Sequence, residues 1–184
     1  MIDTPVLESE RLRLRAVTEA DLAGGYLDWL NDPEVTRFME TGKDPVTAAA
    51  LRQYWERMSA DSNAALFAIV RRSDDRHIGT VTINDINRRA GTANTGLMIG
   101  DKTCWGQGYA REAWSLVIDH AFRGLGLRRL IAGVIDGNGA SLASLTSLGF
   151  QIEGRLRQHS LVDGQYLDVD RLGLLRDEFR PAHR

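Results

Sequence analysis

Glycines Gly106 and Gly108 interrupt the segment Met98-Ile99-Gly100-Asp101-Lys102-Thr103-Cys104-Trp105-Gly106-Gln107-Gly108-Tyr109-Ala110-Arg111-Glu112-Ala113. The segment reads as a strand, a loop of small residues and the first turn of a helix. Backbone N–H groups at such a turn have no intrahelical partner and sit at the positive end of the helix dipole. Glycine lets an anion approach them without a Cβ in the way. That is an anion cradle in outline, although a tight turn that merely caps the helix also fits. A dinucleotide fingerprint is excluded, because Arg111 stands where its third glycine belongs. A nucleoside-triphosphate loop is excluded too, because no Gly-Lys-Ser/Thr follows. Downstream, Asn138 and Ser141 open the segment Asn138-Gly139-Ala140-Ser141-Leu142-Ala143-Ser144-Leu145, which runs on to Leu148-Gly149-Phe150. Asparagine at a helix start caps it, and it can equally bond a ligand.

Periodicity supplies the elements that must position these residues. Glu10 to Val17 alternates leucines with arginines, as a strand with one solvated face does. Thr18 and Asp21 form a capping-box pattern, and Leu22, Tyr26, Trp29 and Leu30 share the helical side that follows, up to Asn31-Asp32-Pro33. Glu34 to Met39 reads as a short helical turn. After Gly42, Asp44-Pro45 opens a helix with Ala48, Leu51, Trp55 and Met58 at helical spacing. Leu66–Val70, His77–Ile83 and Ala93–Ile99 are expected strands, with Asn84–Gly91 a polar connection. The long helix after Gly108 carries Ala110, Ala113, Trp114, Val117, Ile118, Ala121 and Phe122 on one face and ends at Gly124 and Gly126. Leu130–Ile135 is a buried strand, Leu142, Leu145 and Leu148 line a short helix, and Phe150–Val162 and Tyr166–Leu175 close the chain as strands. Strand, helices, three strands, helix, strand, helix, two strands: this is one mixed α/β domain, 1–184, with its core at about 7–178.

Taken together, the two glycine- and asparagine-led segments resemble the GNAT superfamily of N-acetyltransferases. Trp105-Gly106-Gln107-Gly108-Tyr109-Ala110 resembles its coenzyme A pyrophosphate loop, and Asn138 to Ser141, ending in Leu148-Gly149-Phe150, its second cofactor motif. Glu10-Arg11-Leu12-Arg13-Leu14-Arg15, Trp29-Leu30-Asn31-Asp32-Pro33-Glu34-Val35 and the tail around Asp163-Gly164-Gln165 look like the branch containing ribosomal-protein N-terminal acetyltransferases. The resemblance implies a single-domain, mostly antiparallel sheet flanked by helices, with splayed central strands. It implies acetyl-CoA as cofactor and transfer of its acetyl group to a primary amine. Met98, Ile99 and Gly100 would present the backbone edge to the pantetheine arm. Amides of Gln107 to Arg111, in the loop from Trp105 and Gly106 through Gly108, Tyr109 and Ala110, would hold the pyrophosphate. Asn138 would bond the pantetheine, with Ser141 close to the thioester. The acceptor cleft would draw on Trp29, Phe38, Met39, Glu40, Trp55 and the last two strands.

The sequence departs from that pattern at three places. Trp105 replaces the Gln or Arg that begins the loop. Leu145 replaces the tyrosine that protonates the departing thiolate, which leaves Ser141 as the nearest hydroxyl. Asn94 replaces the glutamate of the preceding strand, so a general base must come from Asp85, His77 or Glu40, or from none. Deprotonating a lysine-like amine of pKa ~10.4 at pH 7 costs roughly 4.6 kcal/mol, and an α-amine of pKa ~7.8 only about 1.1 kcal/mol. A protein N-terminus is therefore the favoured acceptor, ahead of an amino sugar or small amine. The other class of reading is a catalytically weak acyl-CoA-binding protein of the same fold.

Composition agrees with this. The chain has 184 residues, 43% hydrophobic and 26% charged, with a net charge of −2, so no basic field argues for nucleic acid. Of 23 basic residues only Lys43 and Lys102 are lysines. Apolar runs are far shorter than the ~20 residues of a membrane helix. Met1 to Pro5 carries no secretory pattern, so a cytoplasmic location is expected. One cysteine, Cys104, with no paired histidine reads as structural, and His77, His120, His159 and His183 have no metal spacing. An exposed last strand would suit a homodimer.

Overall fold

The computed structural model describes residues 4–40 and 44–182, so Gly42 and His183 lie outside the described residues. One eight-stranded sheet runs in the order β1-β2-β3-β4-β5-β6-β8-β7. The first half comprises β1 (Leu7–Glu8), β2 (Leu12–Ala16), β3 (Ala65–Arg71), β4 (Arg76–Asn87) and β5 (Thr92–Ile99). The second comprises β6 (Arg129–Ile135), β7 (Gln151–Val162) and β8 (Gln165–Leu175). Every neighbouring pair is antiparallel except β5 with β6. That parallel pair matches only Thr92–Asn94 with Arg129–Ile131, although β5 runs on to Ile99 and β6 to Ile135. Beyond Asn94 and Ile131 the two strands splay. This is the gap the resemblance implies.

Alternation decides which face each strand gives to the core. In β4, Ile78, Val81 and Ile83 enter the main core, and Thr80, Thr82 and Asn84 face the opposite layer. The unbroken apolar run of β3 is covered on both faces, by the main core on one and by Val17, Tyr54, Trp55 and Met58 on the other. The main core is closed by α5 (Tyr109–Asp119), continued by a π-helical turn, His120–Gly124.

The sequence reading differs from the structure in local ways. The segment after Thr18 is two helices, α1 (Glu19–Leu22) and α2 (Tyr26–Leu30), because Gly24 and Gly25 interrupt it. The cap itself forms: Asp21 Oδ2 accepts from the Thr18 amide at 2.7 Å and its hydroxyl at 2.8 Å. α3 (Pro33–Thr36) and α4 (Ala48–Ala60) follow. The expected polar connection after Ile83 is strand as far as Asn87, with a bulge at which Asp85 takes φ 52°. Finally, the last strand is not exposed at an edge. β8 lies between β6 and β7, and β7 forms the edge.

Candidate active site

The anion cradle is built at the start of α5. Gly106 and Gly108 have φ of 71° and 79°, a region that L side chains rarely adopt. A Cβ on Gly106 would meet nothing within 4 Å, so that face of the loop is open space. Gly108 is the N-terminal residue capping α5. The loop is tied down from several sides. Gln107 Nε2 donates to the Thr103 carbonyl at 2.6 Å, and the Arg11 guanidinium donates to the Gln107 carbonyl at 3.0 Å. Glu112 is 1% exposed and accepts from Ser9 Oγ at 2.7 Å, from Arg11 Nε at 2.7 Å and from the Arg11 amide at 3.2 Å. Burial works against that charge, but the bonds from Ser9 and Arg11 outweigh it and hold the carboxyl below its ordinary range.

Trp105, at the position where a cationic or amide side chain was missing, is 40% exposed. Its indole N–H donates to the Ile99 carbonyl at 2.8 Å. Gly100 is constrained differently: its N–H donates to Ile78 at 2.9 Å, and a Cβ there would fall 2.0 Å from the Trp29 ring. Of the expected edge Met98–Gly100, only Met98 lines the cleft, together with Thr95, Gly96 and Leu97. The unpaired stretch of β5 therefore starts further upstream than the sequence reading placed it.

A cleft of about 840 Å³ opens between the splayed strands and the α1–α4 layer, within the range of small-molecule sites. Phe38, Met39, Glu40, Asn138 and Ser141 line it as expected from sequence. Asn138 Oδ1 accepts from the Ser141 amide at 3.2 Å and so caps α6 (Gly139–Ser147) while facing the cleft. Glu40 accepts a short hydrogen bond from the buried Ser160 hydroxyl, which ties the segment after α3 to β7. Leu145, 1% exposed, also lines the cleft. The wall is therefore apolar where a tyrosine could have stood.

Five residues expected for the acceptor or for proton transfer do not line it. Trp55 turns the other way: its indole donates to the Val17 carbonyl at 2.9 Å and packs beside Met58 against Val17 and β3. Trp29 lies over Gly100 and meets His77 edge-on at 5.0 Å. Asn94 donates to Asp85 at 2.7 Å, and neither of the two reaches the lining. His77 sits with Nε2 2.8 Å from the Gly79 carbonyl, and burial pushes its pKa down. Cys104 is 1% exposed, 3.2 Å from an Arg71 nitrogen, and burial pushes its thiol up, against a nucleophilic role. No metal-binding group of His, Cys, Asp and Glu occurs among the described residues.

The lining residues missed from sequence include Tyr26, Tyr54, Arg57, Thr80 and Asn84. Their signal was present. Tyr54 lies one turn from Leu51, and the threonines of β4 alternate with valine and isoleucine. Burial, partly offset by a Thr80 hydrogen bond, pushes the Tyr26 phenol well above its ordinary range.

Residues 11–151 match the acetyltransferase (GNAT) domain family. The chain belongs to the GNAT acetyltransferases. It is 35% identical over 175 residues to an uncharacterised N-acetyltransferase, p20, of Bacillus licheniformis, covering 94% of this chain and 97% of that protein. Its fold is similar to the spermidine N-acetyltransferase of Vibrio cholerae solved with CoA and spermine. There the TM-score is 0.84 at 23% identity, over 92% of this chain and 98% of that one. It is equally similar in fold to the ribosomal-protein-S5-alanine acetyltransferase of Vibrio fischeri: TM-score 0.82, 23% identity, 96% and 100% coverage. As a GNAT enzyme the chain is an acetyl-CoA-dependent N-acyltransferase, and its open loop face at Gly106 and its splayed strands fit that cofactor. Bound acetyl-CoA supplies the activated thioester.

Proposed function

We propose that this GNAT enzyme acetylates a weakly basic primary amine, with a protein N-terminal α-amine as the favoured class. The observation that carries the reading is that neither family position for a proton carrier supplies one, and that the one candidate base in the lining, Glu40, is bonded to the Ser160 hydroxyl. Leu145 occupies the position of the acid, and Asn94 is bonded to Asp85 away from the lining. An acceptor that deprotonates at little cost suits such a site. Backbone groups of Thr95 to Met98 and the side chains of Asn138 and Ser141 then orient the reactants, and proximity supplies much of the acceleration.

The test is the pH dependence of kcat/KM for two acceptors whose pKa values differ by about two units. For a pKa of ~7.8, the free amine rises from about 14% at pH 7 to near saturation at pH ~9. The profile is expected to plateau above each acceptor's own pKa. An inflection common to both acceptors and lost in Glu40→Gln or in Asp85→Asn would identify that carboxylate as base and overturn the reading.

A polyamine is the second reading. Glu40 and Asp44 both line the cleft, and two carboxylates suit a second ammonium group. The fold neighbour solved with spermine supports it. Competing spermidine against a short peptide with a free N-terminus separates the two. Steady thiol release with either amine distinguishes both from an acyl-CoA-binding protein of weak activity.

A further inference from the structure

The family loop motif has lost its leading polar side chain to Trp105, yet a cation does reach the loop, from a strand distant in sequence. Arg11 immediately precedes β2, its side chain is 41% exposed, and its guanidinium is shared among three groups. Nε and Nη2 hold the buried Glu112 carboxylate, at 2.7 and 2.5 Å. Nη1 donates to the Gln107 carbonyl at 3.0 Å. The guanidinium carbon stands 4.6 Å from the centre of the Tyr109 ring, a cation–π distance. A Cβ on Gly108 would have Arg11 Nη2 as its sole neighbour, at 3.6 Å.

The bond to Gln107 fixes more than a carbonyl. In a trans peptide the C=O and the following N–H point in opposite directions. Holding the Gln107 carbonyl toward β2 therefore aims the Gly108 N–H away from β2. A charged donor on the carbonyl also polarises the peptide and makes that N–H a stronger donor. Glycine at positions 106 and 108 allows this turn but does not enforce it, since glycine is free on both sides of φ = 0. Something outside the loop must choose the orientation. Glu112 keeps the guanidinium in place, and the pair cancels a carboxylate charge that would otherwise stand in the first turn beside an incoming anion.

We propose that Arg11 is a positioning residue for acetyl-CoA: it sets the Gln107–Gly108 peptide so that the Gly108 N–H faces the cofactor's pyrophosphate, in place of the side chain lost at Trp105. This rests on the loop being the pyrophosphate cradle. Arg11 acts through the loop backbone, and Glu112 and Ser9 act through Arg11. Lysine cannot span Glu112 and Gln107 together as the fork of arginine does.

The experiment compares two donors, acetyl-CoA and S-acetyl-pantetheine, which lacks the pyrophosphate. In Arg11→Ala, calorimetry should show acetyl-CoA binding about tenfold weaker, a loss of roughly 1.4 kcal/mol. kcat/KM for S-acetyl-pantetheine should stay within about twofold, as expected when only pyrophosphate contacts are lost. Arg11→Lys should fall between wild type and alanine. Arg11→Ala takes the cation away from a buried carboxylate and can fail to fold, so Arg11→Ala/Glu112→Gln is measured beside it. The double variant removes that charge, and it should bind acetyl-CoA as weakly as the single one while melting near wild type. Equal losses for both donors, or unchanged acetyl-CoA affinity in a folded variant, would overturn the role of Arg11 and leave the cradle standing. A wild-type chain that binds the two donors equally well would remove the cradle itself, and Arg11 with it.

Discussion

The cofactor end and the acceptor wall of the cleft are built on different principles. At the cofactor end, the loop from Trp105 to Gly108 hangs on bonds from the side chains of Arg11, Gln107 and Trp105, backed by the buried Glu112. The helix behind it is packed into the main core through Ala113, Val117 and Ile118. The acceptor wall is assembled from the five-residue α2, from α4 and from the segment after α3 that Glu40 ties to Ser160. Short helices have little stability of their own and take their position from what they pack on. One end is thus fixed before ligand arrives, and the other is shaped by contacts that few substitutions would need to change. Such a division suits an enzyme whose donor is constant and whose acceptor varies between relatives.

Ser141 stands where the two regions meet, and it should give the largest effect. If its hydroxyl donates to the departing sulfur, Ser141→Ala lowers kcat by roughly 10²-fold, with the acetyl-CoA dissociation constant changed less than about twofold. Single-turnover kinetics and calorimetry read the two quantities separately. A loss below about threefold would assign Ser141 to the helix alone, and thiolate protonation to solvent.

Gly108→Val comes next and probes the preset end. Its φ of 79° disfavours a branched residue, and the side chain would stand against Arg11 Nη2. Acetyl-CoA affinity should fall at least about tenfold, or 1.4 kcal/mol, with the far-ultraviolet dichroism unchanged. Native affinity in the folded variant would mean that the loop is no more fixed than the acceptor wall.

The same contrast explains what could be read from sequence. The loop, the cap at Asn138 and the apolar face of α5 are local patterns, and each is where the spacing placed it. The splay between β5 and β6 was expected through the family resemblance alone, because no local pattern in Thr95–Ile99 marks the loss of a neighbour. Arg11 and Glu112 meet across 101 residues, and each alone reads as a solvated strand arginine and a first-turn carboxylate. On the acceptor side, one apolar arc of the thirteen-residue α4 meets two surfaces, since residues at i, i+3, i+4 and i+7 share a helical face. Leu51 and Tyr54 line the cleft, and Tyr54, Trp55 and Met58 pack against Val17 and β3. Spacing marks the arc, and the neighbouring elements decide which of its residues reaches the cleft: Leu51 and Tyr54 do, and Trp55 does not.

The smallest expected effect tests that last distinction. Trp55→Phe keeps most of the apolar surface against Val17 and Met58 and removes one donor, the indole N–H on the Val17 carbonyl. That carbonyl follows β2, where the chain turns into α1. Losing one hydrogen bond of this kind costs about 1 kcal/mol. The ring is smaller, which adds a modest packing loss of the same sign. Denaturant unfolding should therefore show a lower midpoint with an unchanged slope, since the surface exposed on unfolding is nearly the same. The acceptor KM should stay within about twofold, because the Trp55 ring packs on Val17 and β3 and stays out of the cleft lining that Leu51 and Tyr54 supply. A KM raised fivefold or more at unchanged stability would put the ring back in the cleft. It would also mean that the acceptor wall rearranges when acceptor binds, which would strengthen the contrast with the braced cofactor end.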